Sequence, residues 1–333
     1  MVNIGIIGFG RIGRVHAESI TKYVKDAVVK TIADPYLNDD GIVFGKDLGI
    51  NNFTKDYTDI LQDKEIDAVL ICSSTDTHAK ISIEAINAGK HVFCEKPVDH
   101  AVPAILEVKK ALEGKKLKYQ VGFNRRYDHN FAAVREAVKG GKIGDLNILK
   151  VASRDPGAPP VSYIKVSGGM FLDMTIHDFD MVRFLSGEEI DEVFAYGGVM
   201  VDKEIGEAGD IDTAIICLKL KSGALAVIDN CRRATYGYDQ RVEAFGSLGQ
   251  IAIGNDTMST AVLSNADGVT AEKPLYFFLE RYMQAYANEI KEFVSAIVND
   301  TPTGTGIEDG LMAVKIALAA KEALLSGKPV KVL

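Results

Sequence analysis

Near the start of the chain, the run Gly8-Phe9-Gly10-Arg11-Ile12-Gly13 constrains the fold more than any other. It matches G-x-G-x-x-G and lies between an apolar, β-rich run at residues 2–7 and an amphipathic stretch from Ile12 to Val24, which reads as strand, tight turn, helix. In that setting each glycine has a use. The first permits the turn, the second lets the backbone approach a pyrophosphate and the third allows close helix packing, while Arg11, Ile12 and Gly13 open a helix whose N–H groups face the anion. A second strand from Ala27 to Ala33 ends at Asp34, about twenty residues beyond the motif, where a carboxylate can accept hydrogen bonds from the adenosine ribose. Pro35 and Tyr36 follow, with no cation for a 2′-phosphate, so the chemistry favours NAD over NADP, with FAD a minor alternative.

The alternation continues. Asn52 and Phe53 carry a weak strand signal, and Ala68 to Cys72 is an apolar run suited to a strand buried on both faces. Thr77 to Ala88 is a helix stopped by Gly89, and His91 to Cys94 a strand; a helix over Ala101 to Leu112 and a strand over Leu117 to Val121 complete a doubly wound α/β pattern. After Gly122 the rhythm changes to successive strands: Leu146 to Ser153, Glu192 to Val201, Asp212 to Leu220, Ala224 to Cys231, Gln240 to Phe245 and Gln250 to Ile253. Helices over Glu280 to Val298 and Glu308 to Leu325 and a short strand at Val330 to Val332 end the chain. The expected fold is therefore α/β plus α+β: a Rossmann domain over 1–122, then over 123–333 a second domain with a mostly antiparallel sheet and flanking helices.

A chain of 333 residues is long for one hydrophobic core, which agrees with two domains. The net charge of −8 comes without a basic run, which argues against nucleic acid or an anionic membrane as partner. Cys72, Cys94, Cys217 and Cys231 are scattered and lack metal or redox spacing, so buried free thiols are expected. The first apolar stretch runs directly into the glycines without a basic leader, and no apolar run approaches the ~20 residues of a membrane helix; a cytoplasmic protein is expected.

Two further segments carry chemistry. Glu95-Lys96-Pro97 follows the strand His91 to Cys94, which places Lys96 at a carboxyl end of the sheet, where open α/β folds bind ligands. In Gly168-Gly169-Met170-Phe171-Leu172-Asp173-Met174-Thr175-Ile176-His177, a carboxylate and an imidazole stand four residues apart in a helix-compatible stretch, so Asp173 can orient His177 on one helix face. An oriented imidazole suits proton transfer near neutral pH. His177, Asp178 and Asp180 also cluster, but within one turn and without a distant third ligand, so no metal is expected.

The glycine motif, Glu95-Lys96-Pro97, and Asp173 with His177 together resemble the glucose-fructose oxidoreductase and inositol dehydrogenase family over essentially the whole chain. The resemblance implies Lys96, Asp173 and His177 as catalytic residues around an alcohol being oxidised, and the chemistry assigns His177 as base, Asp173 as its orienting partner and proton relay, and Lys96 as electrostatic stabiliser. It implies a cofactor site of Gly8, Gly10, Arg11, Ile12, Gly13, Asp34, Ser73, Thr75, His78, Glu95 and Lys96 for NAD. Asn124-Arg125-Arg126-Tyr127, Arg154-Asp155-Pro156-Gly157 and the tyrosine of Ala234-Thr235-Tyr236-Gly237 are similar to pocket segments of the inositol 2-dehydrogenases in that family, which adds Arg126, Tyr127, Asp155 and Tyr236 to Lys96, Asp173 and His177 as substrate-binding residues. A structural ion pair is the competing expectation for Arg125 or Arg154. The implied activity is NAD-dependent oxidation of a ring hydroxyl of a cyclitol, such as myo-inositol to 2-keto-myo-inositol. A scyllo-inositol or aldose dehydrogenase and a non-catalytic NAD-binding regulator are the alternatives. The resemblance further implies that the sheet of residues 123–333 is open-faced, binds the substrate and covers its free face in a homo-oligomer, commonly a tetramer in that family.

Overall fold

The computed structural model describes residues 1–332. These divide into two compact units: Met1–Tyr127 with Met283–Val314, and Asp128–Tyr282 with the chain from Lys315 on. The single cut expected after residue 122 is thus replaced by a division in which a later helical segment belongs with the amino-terminal unit.

In the first unit β1 (Val2–Ile7), α1 (Arg11–Tyr23), β2 (Ala27–Ala33), α2 (Asp39–Asp47), β3 (Asn52–Thr54), α3 (Thr58–Gln62), β4 (Ala68–Ile71), α4 (Thr75–Asn87), β5 (His91–Glu95), α5 (Val102–Leu112) and β6 (Tyr119–Gly122) alternate without exception. The strands pair in parallel in the order β3-β2-β1-β4-β5-β6. This is the Rossmann order, with its switch point between β1 and β4. Strands β4 and β6 are buried along their whole length, because helices cover both faces of such a sheet.

Part of that cover comes from far along the chain. In α12 (Met283–Asn299), Ile290, Phe293 and Val294 join Ile4, Ile6, Ala17, Ile20 and Phe93 in one buried cluster. The rings of Phe93 and Phe293 meet edge to face at 5.9 Å. Truncating a fully buried phenylalanine such as Phe293 costs about 3–5 kcal/mol, so α12 is integral to this unit.

The second unit contains α6 (His129–Lys139), β7 (Leu146–Arg154), α7 (Val161–Ile164), α8 (Met170–Asp173), α9 (Ile176–Ser186), β8 (Ile190–Gly198), α10 (Lys203–Glu207), β9 (Thr213–Leu220), β10 (Leu225–Cys231), β11 (Asp239–Gly246), β12 (Gly249–Ile253), a hairpin of β13 (Val262–Asn265) and β14 (Gly268–Ala271), and α11 (Phe278–Arg281). After α13 (Ile307–Ser326), β15 (Val330–Lys331) adds an edge to β8, giving a seven-stranded sheet ordered β12-β11-β7-β10-β9-β8-β15. Its pairing is antiparallel except between β7 and β10. The β13-β14 hairpin and that parallel pair were not legible in the sequence.

Strict alternation marks the sheet as covered on one face. In β9, Ala214, Ile216, Leu218 and Leu220 are buried while Ile215 and Cys217 are exposed. Cys217 therefore departs from the buried thiols expected, and Cys231 is only half-buried, whereas Cys72 and Cys94 are buried. Leu225, Ile148, Phe245 and Tyr196 are exposed too, so the uncovered face is substantially apolar. Among the described residues, no helix is long and apolar enough to cross a membrane.

Candidate active site

The dinucleotide crevice is built mostly from main chain. Gly8, at the end of β1, has φ +93°, and a Cβ there would lie 2.5 Å from the Ser73 nitrogen beyond β4. A Cβ on Gly13 would lie 2.1 Å from the Gly8 carbonyl oxygen, so only glycine lets α1 start this close to the turn. Around Gly10 a Cβ would meet no atom within 4 Å. The space is open where a phosphate would approach, and no side chain among the described residues caps the N-terminus of α1. Asp34 accepts the Phe9 N–H at 2.6 Å and the Tyr36 N–H at 2.7 Å, one on each oxygen, which fixes its carboxylate and leaves lone pairs for ribose hydroxyls. These features fit a nicotinamide dinucleotide.

Ser73 and Thr75 lie at the start of α4, with the Ser73 hydroxyl 2.6 Å from that of Thr77. His78, expected to meet the cofactor, is instead buried beneath this turn. Its Nδ1 lies 2.8 Å from the Pro97 carbonyl oxygen and its Nε2 3.0 Å from the Ser73 carbonyl oxygen. Two carbonyls can only accept, so this placement calls for a donor on each nitrogen, as an imidazolium provides. Burial alone would lower its pKa, but the Cys94 sulfur and the two carbonyls outweigh burial and raise it to about 9. His78 thus ties the end of β4 to the turn after β5, where the Lys96–Pro97 peptide is cis.

Glu95 also departs from its expected role. Its carboxylate turns into the core, 2.6 Å from His16 Nε2, and the oxygens of Glu289 complete a buried group whose ligand atoms lie within 4.8 Å of one another. Burial, reinforced by repulsion from Glu95, pushes the Glu289 carboxyl well above the usual range. Tyr127, expected at the substrate, directs its hydroxyl inward among Gln120, Glu292 and Thr305 at 3.2–3.4 Å. Arg126 donates to Asp309 at 2.9 Å and to the Gly304 carbonyl at 3.2 Å, both within the first unit.

In the second unit the stretch around Asp173 is not one continuous helix. Asp173 is the last residue of α8, His177 the second of α9, and the His177 N–H donates to the Met174 carbonyl at 3.3 Å rather than four residues back. The simple i, i+4 register is therefore broken between the two residues. The Asp173 carboxylate is held by side chains distant in sequence: Tyr163 donates to Oδ1 at 2.8 Å, and both Nη atoms of Arg232 lie 3.3 Å from Oδ2. The start of α9 is fixed in the same manner. Thr175 donates to Asn230 at 2.6 Å, and Asn230 donates to Asp178 at 2.9 Å, all three being buried.

Arg232 and Asn230 were missed in the sequence, although a signal existed. Along β10 and one residue beyond it, Ala226, Ile228, Asn230 and Arg232 keep the inward period of two while changing from apolar to polar. A polar residue on a buried sheet face needs partners, and here the partners carry the chemistry.

Asp155 anchors its loop through backbone bonds, donating to the Cys231 carbonyl at 3.0 Å and accepting from Ala234 at 2.6 Å. Tyr236, also expected at the substrate, donates to Asp239 at 2.5 Å and accepts from Arg154 at 3.3 Å, while Arg154 pairs with Asp229 at 2.7 Å. Burial and the Asp239 carboxylate raise the Tyr236 pKa, so it stays a neutral phenol within an ion cluster.

A Rossmann crevice fitted to a nicotinamide dinucleotide, followed by a mostly antiparallel domain carrying a fixed carboxylate with an imidazole four residues on in the sequence, defines a two-domain oxidoreductase. Residues 2–123 match the oxidoreductase family with an NAD-binding Rossmann fold, and residues 131–252 match the GFO/IDH/MocA C-terminal domain. The chain belongs to the GFO/IDH/MocA family. It is 47% identical over 331 residues to a myo-inositol 2-dehydrogenase of Thermotoga maritima, covering 99% of this chain and 98% of the relative. It is 44% identical to an inositol 2-dehydrogenase of Rhizobium meliloti, with 99% of each chain covered. Among solved structures, a myo-inositol dehydrogenase from Corynebacterium glutamicum superposes with a TM-score of 0.95 at 37% identity, over 100% of this chain and 99% of that one. A scyllo-inositol dehydrogenase from Lactobacillus casei, with bound NAD(H) and scyllo-inositol, superposes with a TM-score of 0.91 at 33% identity, over 100% and 99%.

Proposed function

We propose that this protein is an NAD-dependent inositol 2-dehydrogenase that oxidises a ring carbinol of myo-inositol to the ketone. The observation that carries the reading is its likeness along nearly the whole chain to inositol 2-dehydrogenases at 44–47% identity. A secondary alcohol gives up hydride as its O–H proton departs, so the reaction needs a base and a positive group near the developing alkoxide. When bound, NAD supplies the hydride acceptor. His177 accepts the hydroxyl proton, Asp173 orients the charge that forms on the imidazole, and Lys96 stabilises the alkoxide electrostatically. Asp34 and the turn from Gly8 to Gly13 hold the dinucleotide, with Ser73 and Thr75 at the start of the neighbouring helix.

A scyllo-inositol dehydrogenase is the second reading, favoured by the scyllo-inositol enzyme at TM-score 0.91 but at lower identity. Isomers differing in the orientation of one hydroxyl are separated by a few hydrogen bonds. Purified protein with NAD and a panel of inositols and aldoses, followed by the appearance of reduced nicotinamide, orders these readings. Turnover fastest on myo-inositol supports the first, and no signal from any cyclitol sinks both. The exposed apolar residues Ile148, Ile215, Leu225 and Phe245 support burial of the open sheet face in a homo-oligomer, here a tetramer, and free thiols agree with a cytoplasmic setting. Light scattering that returned a monomer would remove the oligomer proposal.

A further inference from the structure

One full charge in the second unit has no part in the reaction as written so far: the guanidinium of Arg232. The residue is 1% exposed, and a buried cation is tolerated only where anions and hydrogen bonds replace water. Two carboxylates do so. Asp173 Oδ2 lies 3.3 Å from each Nη, and Asp210 Oδ2 lies 3.8 Å from Nη2. Asp210 has a second task, because its Oδ1 accepts the Met170 N–H at 3.0 Å, at the first residue of α8. The four-residue helix that ends in Asp173 is therefore tied to Arg232 at both ends, directly through Asp173 and indirectly through Asp210.

We propose that Arg232 is a positioning residue for the reaction: its fork occupies Asp173 Oδ2 and keeps that carboxylate ionised and fixed, so that Asp173 acts as a permanent orienting charge and not as a proton carrier. The proposal rests on the roles assigned to Asp173 and His177 above. Around the fork stand Asp173 from α8, Asp210 from the segment before β9, and Tyr163 from α7, which bonds Asp173 Oδ1. The Asp212 carboxylate is taken by the amides of Met200, Val201 and Asp202, and Arg233 reaches the Val201 carbonyl, so neither competes for the fork. A lysine could supply the charge but not two donors on one oxygen.

The test uses full-length wild type, Arg232→Gln, Arg232→Lys and Asp210→Asn. For each, kcat, KM, the pH profile of kcat and NAD binding by nucleotide fluorescence are measured. Arg232→Gln is expected to lower kcat by roughly 10–100-fold and to move the acid limb of the profile up by about one unit or more, with NAD binding unchanged. Arg232→Lys should restore the acid limb while kcat stays reduced, and Asp210→Asn should lower kcat less than Arg232→Gln. Wild-type kcat and pH profile in Arg232→Gln would overturn the proposal. Should that variant fail to fold, the wild type decides through the carbon-13 signal of the Asp173 carboxyl: titration at the ordinary value of about 4 overturns the proposal, and titration well below it supports it. That signal needs no turnover. A wild type inactive on every cyclitol would thus remove the substrate reading while leaving Arg232 to be judged by NMR.

Discussion

In the first unit, the groups that suit a dinucleotide are mostly main chain, at the turn from Gly8 to Gly13 and the open start of α1, with the Asp34 carboxylate beside them. In the second unit, the groups offered to a substrate are side chains held by other side chains, with Arg232 reaching 59 residues back to Asp173. Main-chain sites tolerate change wherever the backbone path survives and fail where a Cβ blocks it. Side-chain sites fail with the loss of a single charged group, because the partner is left buried and uncompensated.

The comparison breaks most visibly at His177. His177→Ala should lower kcat by about 10²–10⁴-fold, and Lys96→Met should also lower it steeply, while NAD affinity measured by fluorescence stays near wild type. Wild-type turnover in both would dissolve the proposed division of labour. Next come the glycines. Gly13→Ala places a Cβ 2.1 Å from the Gly8 oxygen and should cost about 1–3 kcal/mol in denaturant unfolding, whereas Gly10→Ala meets no protein atom and should keep wild-type stability while weakening NAD roughly tenfold or more. Equal effects of the two on stability would mean that Gly10 is not kept for the ligand.

His78 sharpens the comparison through pH. Its folded pKa of about 9 lies above the ordinary imidazole value, so its contribution is complete below about 6.5 and is lost as pH rises through about 9. Wild-type stability should therefore decline across that window by an amount on the order of a few kcal/mol, a decline His78→Gln should lack. Nitrogen-15 shifts of a neutral ring at pH 7 would refute the imidazolium. The smallest effect is expected at Asp34: Asp34→Ser should raise the NAD Kd about tenfold and narrow the preference over NADP, read from the two binding isotherms.

Legibility follows the same line. The glycine turn, Asp34 and the parallel alternation could be read because each is a local pattern with one geometric solution, and all of the strands expected in residues 1–122 are present in the sheet. Tyr127 and Tyr236 were expected at the substrate, and Glu95 and His78 at the cofactor, from the family resemblance. The side chains of Tyr127, Glu95, His78 and Tyr236 bond Glu292, His16, Pro97 and Asp239 respectively, and of these only Asp239 is near its partner in sequence. The helical spacing of Asp173 and His177 was visible, but the break at Met174 and Thr175 was not, since it is stabilised by Asn230 across the sheet.

By itself, then, the sequence determined a Rossmann unit with an NAD-compatible turn, a second sheet of alternating pattern, and an acid and an imidazole four residues apart. These depend on backbone sterics and on periodicity, which are properties of short segments. Tertiary structure alone decided that α12 belongs to the first unit, that Glu95 and His78 face inward, and that the anion at Asp173 is balanced by Arg232. A buried charge is defined by what replaces its water, and that is fixed only when distant segments pack.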